Sequence, residues 1–101
     1  MPDLKSARRL ARGLVSRRLA ACVSFRDRFE SLYRWKGKIA KASETVLMIK
    51  TSGAGLRPLE KAVRARHPYE VPEFLAMEVS SGSKDYLKWV ESSVRPVIRR
   101  G

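Results

Sequence analysis

The sequence contains a single cysteine and a single histidine among its 101 residues. A lone cysteine cannot form a disulfide within the chain, and the usual four-ligand zinc motif cannot be assembled from so few thiols and imidazoles. No apolar run approaches the roughly 20 residues of a membrane-spanning helix. The first ten residues are polar and basic, without the apolar centre of a signal peptide. We therefore expect a single cytoplasmic domain over residues 1–101, with residues 95–101 as a basic tail.

Acidic residues are also scarce. The 10 Asp and Glu face 22 Lys and Arg, which leaves a net charge of +12 and suggests an anionic partner. The imbalance is clear on the polar face of the first predicted helix. Four basic residues lie there, and none of them has an acidic residue three or four positions later: Lys5, Arg8, Arg9 and Arg12. A solvated face and an anion-binding face both fit this pattern.

Motifs for catalysis and for specific nucleic-acid recognition are not found. No Ser/His/Asp order with a nucleophile elbow is present, and Gly53-Ala54-Gly55 lacks the third glycine of a dinucleotide-binding loop. The aromatic residues do not follow the signature of an RNA-recognition motif. The residues thus predict a protein without enzymatic activity and without a specific nucleic-acid motif.

Apolar periodicity predicts six elements in the order helix, strand, strand, helix, strand, helix. The expected helices cover about 4–20, 58–66 and 84–94, and the expected strands cover 21–35, 38–51 and 74–79. Lys36-Gly37 is a candidate two-residue turn, and Asp27 is a candidate bulge because it interrupts the apolar positions. This order predicts an α+β ferredoxin-like sandwich without its leading strand and with a helix added at its end.

The alternation also predicts which side chains share a face. In the first strand, residues of one parity are apolar, which predicts a single apolar face made by Val23, Phe25, Phe29, Tyr33 and Trp35. In the second strand, residues 45–49 are apolar at both parities, which predicts a central strand buried on both faces.

The densest group of chemically special residues is the segment 67–73, His-Pro-Tyr-Glu-Val-Pro-Glu. Two prolines stiffen it, and His67, Glu70 and Glu73 could bind a divalent metal weakly. A stiff connector whose histidine bonds locally is the alternative. Cys22 is a weaker candidate ligand, since a cysteine in an apolar run is usually a small buried hydrophobe.

Five segments together resemble the CutA family of divalent-cation tolerance proteins. They are Arg18–Val23, Ser31–Ile39, Glu44–Thr51, His67–Glu73 and Tyr86–Val90. The resemblance implies a ferredoxin-like protomer in a PII-like homotrimer, whose long hairpin pairs with neighbouring chains. It further implies a role in metal-ion tolerance with copper as the candidate ion and no enzymatic activity. Membrane anchoring of acetylcholinesterase, as in animal members, and sensing of a small ligand are the alternatives.

This chain departs from the family pattern in three places. The family's first strand would precede Pro2. Ser24–Asp27 places charge where the family has an apolar stretch, and Arg66 stands in place of the first histidine of a pair. Only His67 carries over from the copper-associated residues of bacterial members.

Overall fold

The computed structural model describes residues 3–66 and 74–94 of the chain. Three helices and two strands occur in this part, in the order α1 (Leu4–Ser16), β1 (Cys22–Trp35), β2 (Lys38–Lys50), α2 (Leu56–Arg66) and α3 (Lys84–Ser93). None of these helices is long and apolar enough to cross a membrane.

Helix α1 begins at a capped residue and ends earlier than its apolar pattern predicts. The carboxylate of Asp3 accepts the backbone N–H of Ser6 at 2.7 Å, which caps the first turn. The helix ends at Ser16, because Arg18 adopts a left-handed backbone with φ of 58°. The amides of the next two residues then turn back to the carbonyl of Leu14. The expected extension of this helix to residue 20 is therefore wrong.

Strands β1 and β2 form one long antiparallel hairpin. Its register runs from Cys22 opposite Lys50 to Trp35 opposite Lys38. The two turn residues, Lys36 and Gly37, have φ values of 50° and 77°, and positive values at both positions are what a type I′ hairpin turn requires. The predicted hairpin and its two-residue turn are confirmed.

A bulge interrupts β1 near the middle of the hairpin. The register shifts between Arg26 and Phe29, so that two residues of β1 lie opposite the single residue Thr45. Arg28 takes a left-handed backbone with φ of 58°. Asp27 accepts a hydrogen bond at 2.9 Å from the hydroxyl of Thr45, whose side chain is buried. The bulge predicted at Asp27 is confirmed.

The bulge changes which side chains of β1 share a face. Because one extra residue is inserted, residues before and after it with the same parity lie on opposite faces. The face that packs against the helices, called the helix face, includes Val23, Phe25, Leu47 and Ile49. The opposite face, called the far face, includes Phe29, Tyr33, Trp35, Val46 and Met48. The expected single apolar face of β1 is therefore wrong.

The hydrophobic core lies between the helices and the helix face. Its buried residues are Ala7, Leu10, Leu14, Leu19, Ala20, Leu59 and Val63. Partly buried side chains of the sheet and Phe74 pack against them. Since the described helices cover one face of the hairpin only, Met48 on the other face is 64% exposed. The expectation that residues 45–49 are buried on both faces is wrong.

Residues 74–79 do not form a strand, although their alternation predicts one. Phe74 packs against the core, while Leu75, Met77 and Val79 are 81%, 89% and 69% exposed. A strand exists only where its backbone pairs with another backbone. Among the described residues the sheet has two strands, β1 and β2, and neither pairs with this segment.

Helix α3 is joined to the remainder of the fold mainly at its C-terminal end. Its expected span is confirmed to within a residue, with Ser83 as N-cap. The guanidinium of Arg18 donates to the carbonyls of Ser92 at 2.6 Å and Ser93 at 3.3 Å. Val94 is buried against Gly55, where an added Cβ would lie 2.8 Å from the valine side chain. Position 55 therefore requires glycine, because the close approach of Val94 leaves no room for a side chain.

Candidate functional site

Three of the four predicted metal ligands lie outside the described residues. His67, Glu70 and Glu73 belong to the segment that follows the last residue of α2, Arg66, and precedes Phe74. These three residues stay a prediction.

The fourth predicted ligand, Cys22, is the first residue of β1 and is half-buried. Its Sγ lies 4.0 Å from the hydroxyl of Ser24, which in turn accepts a hydrogen bond from Lys50 Nζ at 3.0 Å. Residues 3–66 and 74–94 contain no group of three or more His, Cys, Asp or Glu side chains placed to hold a metal ion. Cys22 therefore offers a single thiol donor. Among the described residues, no cluster supplies further ligands for a metal ion beside it.

The far face of the hairpin is an exposed apolar surface that the alternation of the sequence does not predict. It carries exposed aromatic and aliphatic side chains along both strands, with Trp35 at 59% and Met48 at 64% exposure, and with Phe29, Tyr33 and Val46 also exposed. No described helix covers it. The signal in the sequence is Asp27, because a bulge at that position reverses the parity of every residue that follows in the strand.

The basic face of α1 is the second surface with a clear chemical character. Lys5, Arg8, Arg9 and Arg12 are all exposed. The ion pairs found among the described residues lie elsewhere, at Glu30–Lys41 and Glu60–Arg64. In the described part of the chain these four cations thus face solvent and none forms an ion pair within contact distance, as their spacing predicts.

Known proteins are similar to this chain in both sequence and fold. A family model described as "CutA1 divalent ion tolerance protein" matches residues 1–93. A relative from Thermus thermophilus, described as "Divalent-cation tolerance protein CutA", is 38% identical over 93 residues, which is 92% of this chain and 90% of the relative. The chain belongs to the CutA1 family. The resemblance identified in the sequence is confirmed.

Solved structures of CutA1 proteins share the fold of this chain. The structure from Thermus thermophilus has a TM-score of 0.89 at 37% identity, covering 94% of this chain and 92% of that one. A structure described as "PII-like protein CutA" from Nostoc sp. PCC 7120 has a TM-score of 0.85 at 33% identity, covering 94% and 91%. The predicted α+β, PII-like fold class is confirmed.

Plant and animal CutA proteins are longer than this chain. "Protein CutA, chloroplastic" from Arabidopsis thaliana is 41% identical over 95 residues, which is 94% of this chain and 52% of the relative. The chain spans about half the length of the first curated relatives that it matches.

Proposed function

We propose that this CutA1 protein acts in the tolerance of divalent metal ions as a homotrimer without catalytic activity. The family match carries the metal role, since relatives from bacteria are described as divalent-cation tolerance proteins. The absence of catalytic motifs from the sequence supports the non-enzymatic part. Cytoplasm is the proposed compartment, although plant relatives are described as chloroplastic.

The far face is the observation that supports assembly. Contiguous exposed apolar surface on a protein mostly marks an interface. Here Trp35, Tyr33 and Phe29 lie on one side of a hairpin that the described helices leave uncovered, and all three are exposed. A 13- or 14-residue strand exceeds the usual length for a small domain, which suits a hairpin that also contacts neighbouring chains. We therefore place the intersubunit contacts of the trimer on this face.

Light scattering coupled to size-exclusion chromatography tests the assembly. Wild type should elute with the mass of three chains, and Tyr33→Ser with Trp35→Ser should reduce the mass to that of one chain. A matched control is Tyr86→Ser with Trp89→Ser, which removes the same two residue types from exposed positions on α3. A wild-type monomer, or equal effects of the two double variants, contradicts the proposal.

Copper is the proposed ion, with His67 as the leading ligand and Glu70, Glu73 and Cys22 as further candidates. Imidazole and thiolate are donors that copper prefers, and His67 is the only histidine of the chain. Carboxylates would add charge compensation for a divalent cation. Once bound, the ion would be held for tolerance and would not take part in a reaction of the protein.

Calorimetric titration of Cu(II) into the purified protein tests this assignment. We expect His67→Ala to weaken binding by about tenfold or more, as loss of one of a few ligands should. Cys22→Ser should have a smaller effect, and Glu60→Gln, whose carboxylate pairs with Arg64 at 3.1 Å on α2, serves as the control. Equal affinity of wild type and His67→Ala would remove His67 from the site.

A further inference from the structure

A cleft lies between α1 and the beginning of β1, on the helix side of the sheet. It is shallow and largely open to solvent, with a volume of about 410 Å³. It is lined by Arg8, Ala11, Arg12, Val15 and Phe25. Arg8 and Arg12 are four residues apart on α1, and so are Ala11 and Val15, so the four residues share one side of the helix.

The lining of this cleft combines two kinds of chemistry. Arg8 and Arg12 are one turn apart, and no described acid forms an ion pair with either of them. Two adjacent guanidinium groups provide several N–H donors and two positive charges for an anionic oxygen group. Beside them, Val15 of the same helix and Phe25 of β1 expose apolar surface, and neither belongs to the buried core cluster.

We propose that this cleft binds an amphiphilic anion, a small molecule with one carboxylate or phosphate head and an apolar body. The head lies between Arg8 and Arg12, and the body lies along Val15 and Phe25. Like charges one turn apart destabilise a helix slightly, and an anion between them removes that repulsion. This site is independent of the metal role.

The position of the cleft favours such a ligand over a polyanion. A nucleic acid would contact the whole basic face of α1, including Lys5 and Arg9, and its binding would need no apolar wall. The cleft instead takes in Arg8 and Arg12, leaves Lys5 and Arg9 outside, and includes an aromatic ring. Arg8 with Arg12, inside the cleft, and Lys5 with Arg9, outside it, therefore provide a test variant and a matched control on one helix.

Calorimetric titration of the full chain with three probes tests the ligand class. Decyl phosphate, kept below its micelle concentration, carries both features, whereas inorganic phosphate lacks the apolar body and decyltrimethylammonium has the opposite charge. We expect decyl phosphate to bind. Inorganic phosphate should bind at least about tenfold more weakly, because burial of even two methylene groups is worth that factor. Decyltrimethylammonium should also bind at least about tenfold more weakly, because Arg8 and Arg12 repel its cationic head. Binding of decyltrimethylammonium as tight as that of decyl phosphate overturns the proposal.

Charge variants locate the head group. Arg8→Gln with Arg12→Gln should weaken decyl phosphate binding by about tenfold or more, since hydrogen bonds to charged groups are lost. Lys5→Gln with Arg9→Gln makes the same change in net charge at the same spacing and should weaken it by less than about threefold, through long-range attraction only. Equal losses in the two variants would mean general attraction by the basic face, and the cleft would be rejected.

An apolar variant and a vesicle experiment complete the test. Phe25→Ala should weaken decyl phosphate binding, while Tyr86→Ala, at an exposed ring on α3, should leave it unchanged. Anionic vesicles distinguish a bilayer head group from a free amphiphile: retention on vesicles that depends on Arg8 and Arg12 but not on Lys5 and Arg9 identifies a lipid source. Binding of the monomeric probe alone identifies a free one, and failure of both arms overturns the site.

Discussion

At the scale of single residues, Arg18 connects the C-terminal end of α1 to the C-terminal end of α3. Its left-handed backbone ends α1, and its side chain bonds two carbonyls at the C-terminal end of α3. A cation at that end also interacts favourably with the helix dipole. We expect Arg18→Ala to lower the free energy of unfolding by about 2 kcal/mol, because it removes these bonds and keeps an unfavourable φ.

Two variants separate the contributions of Arg18. Arg18→Gly removes the side chain but tolerates the left-handed backbone, so its loss should be about 1 kcal/mol smaller. Arg17→Ala, at an exposed neighbour without such bonds, should change the stability by less than about 0.5 kcal/mol. Urea unfolding at one protein concentration measures all three, and equal effects of Arg17→Ala and Arg18→Ala would contradict the described role.

The N-cap of α1 adds a pH dependence at the same scale. The backbone hydrogen bond from Ser6 lowers the pKa of Asp3 below its usual value. A carboxyl with a lowered folded pKa contributes stability above its unfolded pKa of about 3.9 and loses it as the pH falls through the folded value. Asp3→Asn keeps a capping oxygen that does not titrate, so the variant should lose less stability than wild type in urea unfolding between about pH 5 and pH 2. A parallel loss would contradict this assignment.

At the scale of elements, the bulge in β1 decides which face of the hairpin becomes apolar. Deleting Arg28 removes the extra residue, so Phe29, Tyr33 and Trp35 should turn from the far face to the helix face. We expect the hairpin to persist in circular dichroism while light scattering shows loss of the proposed trimer. Arg28→Gly keeps the chain length and suits the φ of 58°, so it should retain assembly. If the deletion variant still forms a trimer, assembly does not depend on the far face.

At the scale of the whole molecule, the net charge of +12 opposes assembly. Three chains would bring together 3 × 12 = +36, and like charges repel within the range that salt leaves unscreened. Raising the ionic strength from about 0.01 M to about 0.1 M shortens the Debye length from roughly 30 Å to roughly 10 Å. The concentration at which the proposed trimer dissociates should therefore fall as salt is added, as sedimentation can show, whereas decyl phosphate binding should weaken.

The sequence by itself determined the local features of this protein. A turn with positive φ at both residues and a bulge depend on a few neighbouring residues, so Lys36-Gly37 and Asp27 were sufficient to locate them. The helices were also located, because apolar spacing reports the face that must be buried. Family membership followed from the segments quoted above and was confirmed, whereas the metal ligands stay a prediction.

Only the tertiary structure decided which surfaces are covered. The alternation in residues 74–79 could not make a strand without a backbone partner, and the parity of Phe29, Tyr33 and Trp35 was reversed by one inserted residue. The cleft beside Arg8 and Arg12 likewise required Phe25 of β1 to lie against α1. Each of these depends on contacts between residues far apart in the chain, and local periodicity carries no information about such contacts.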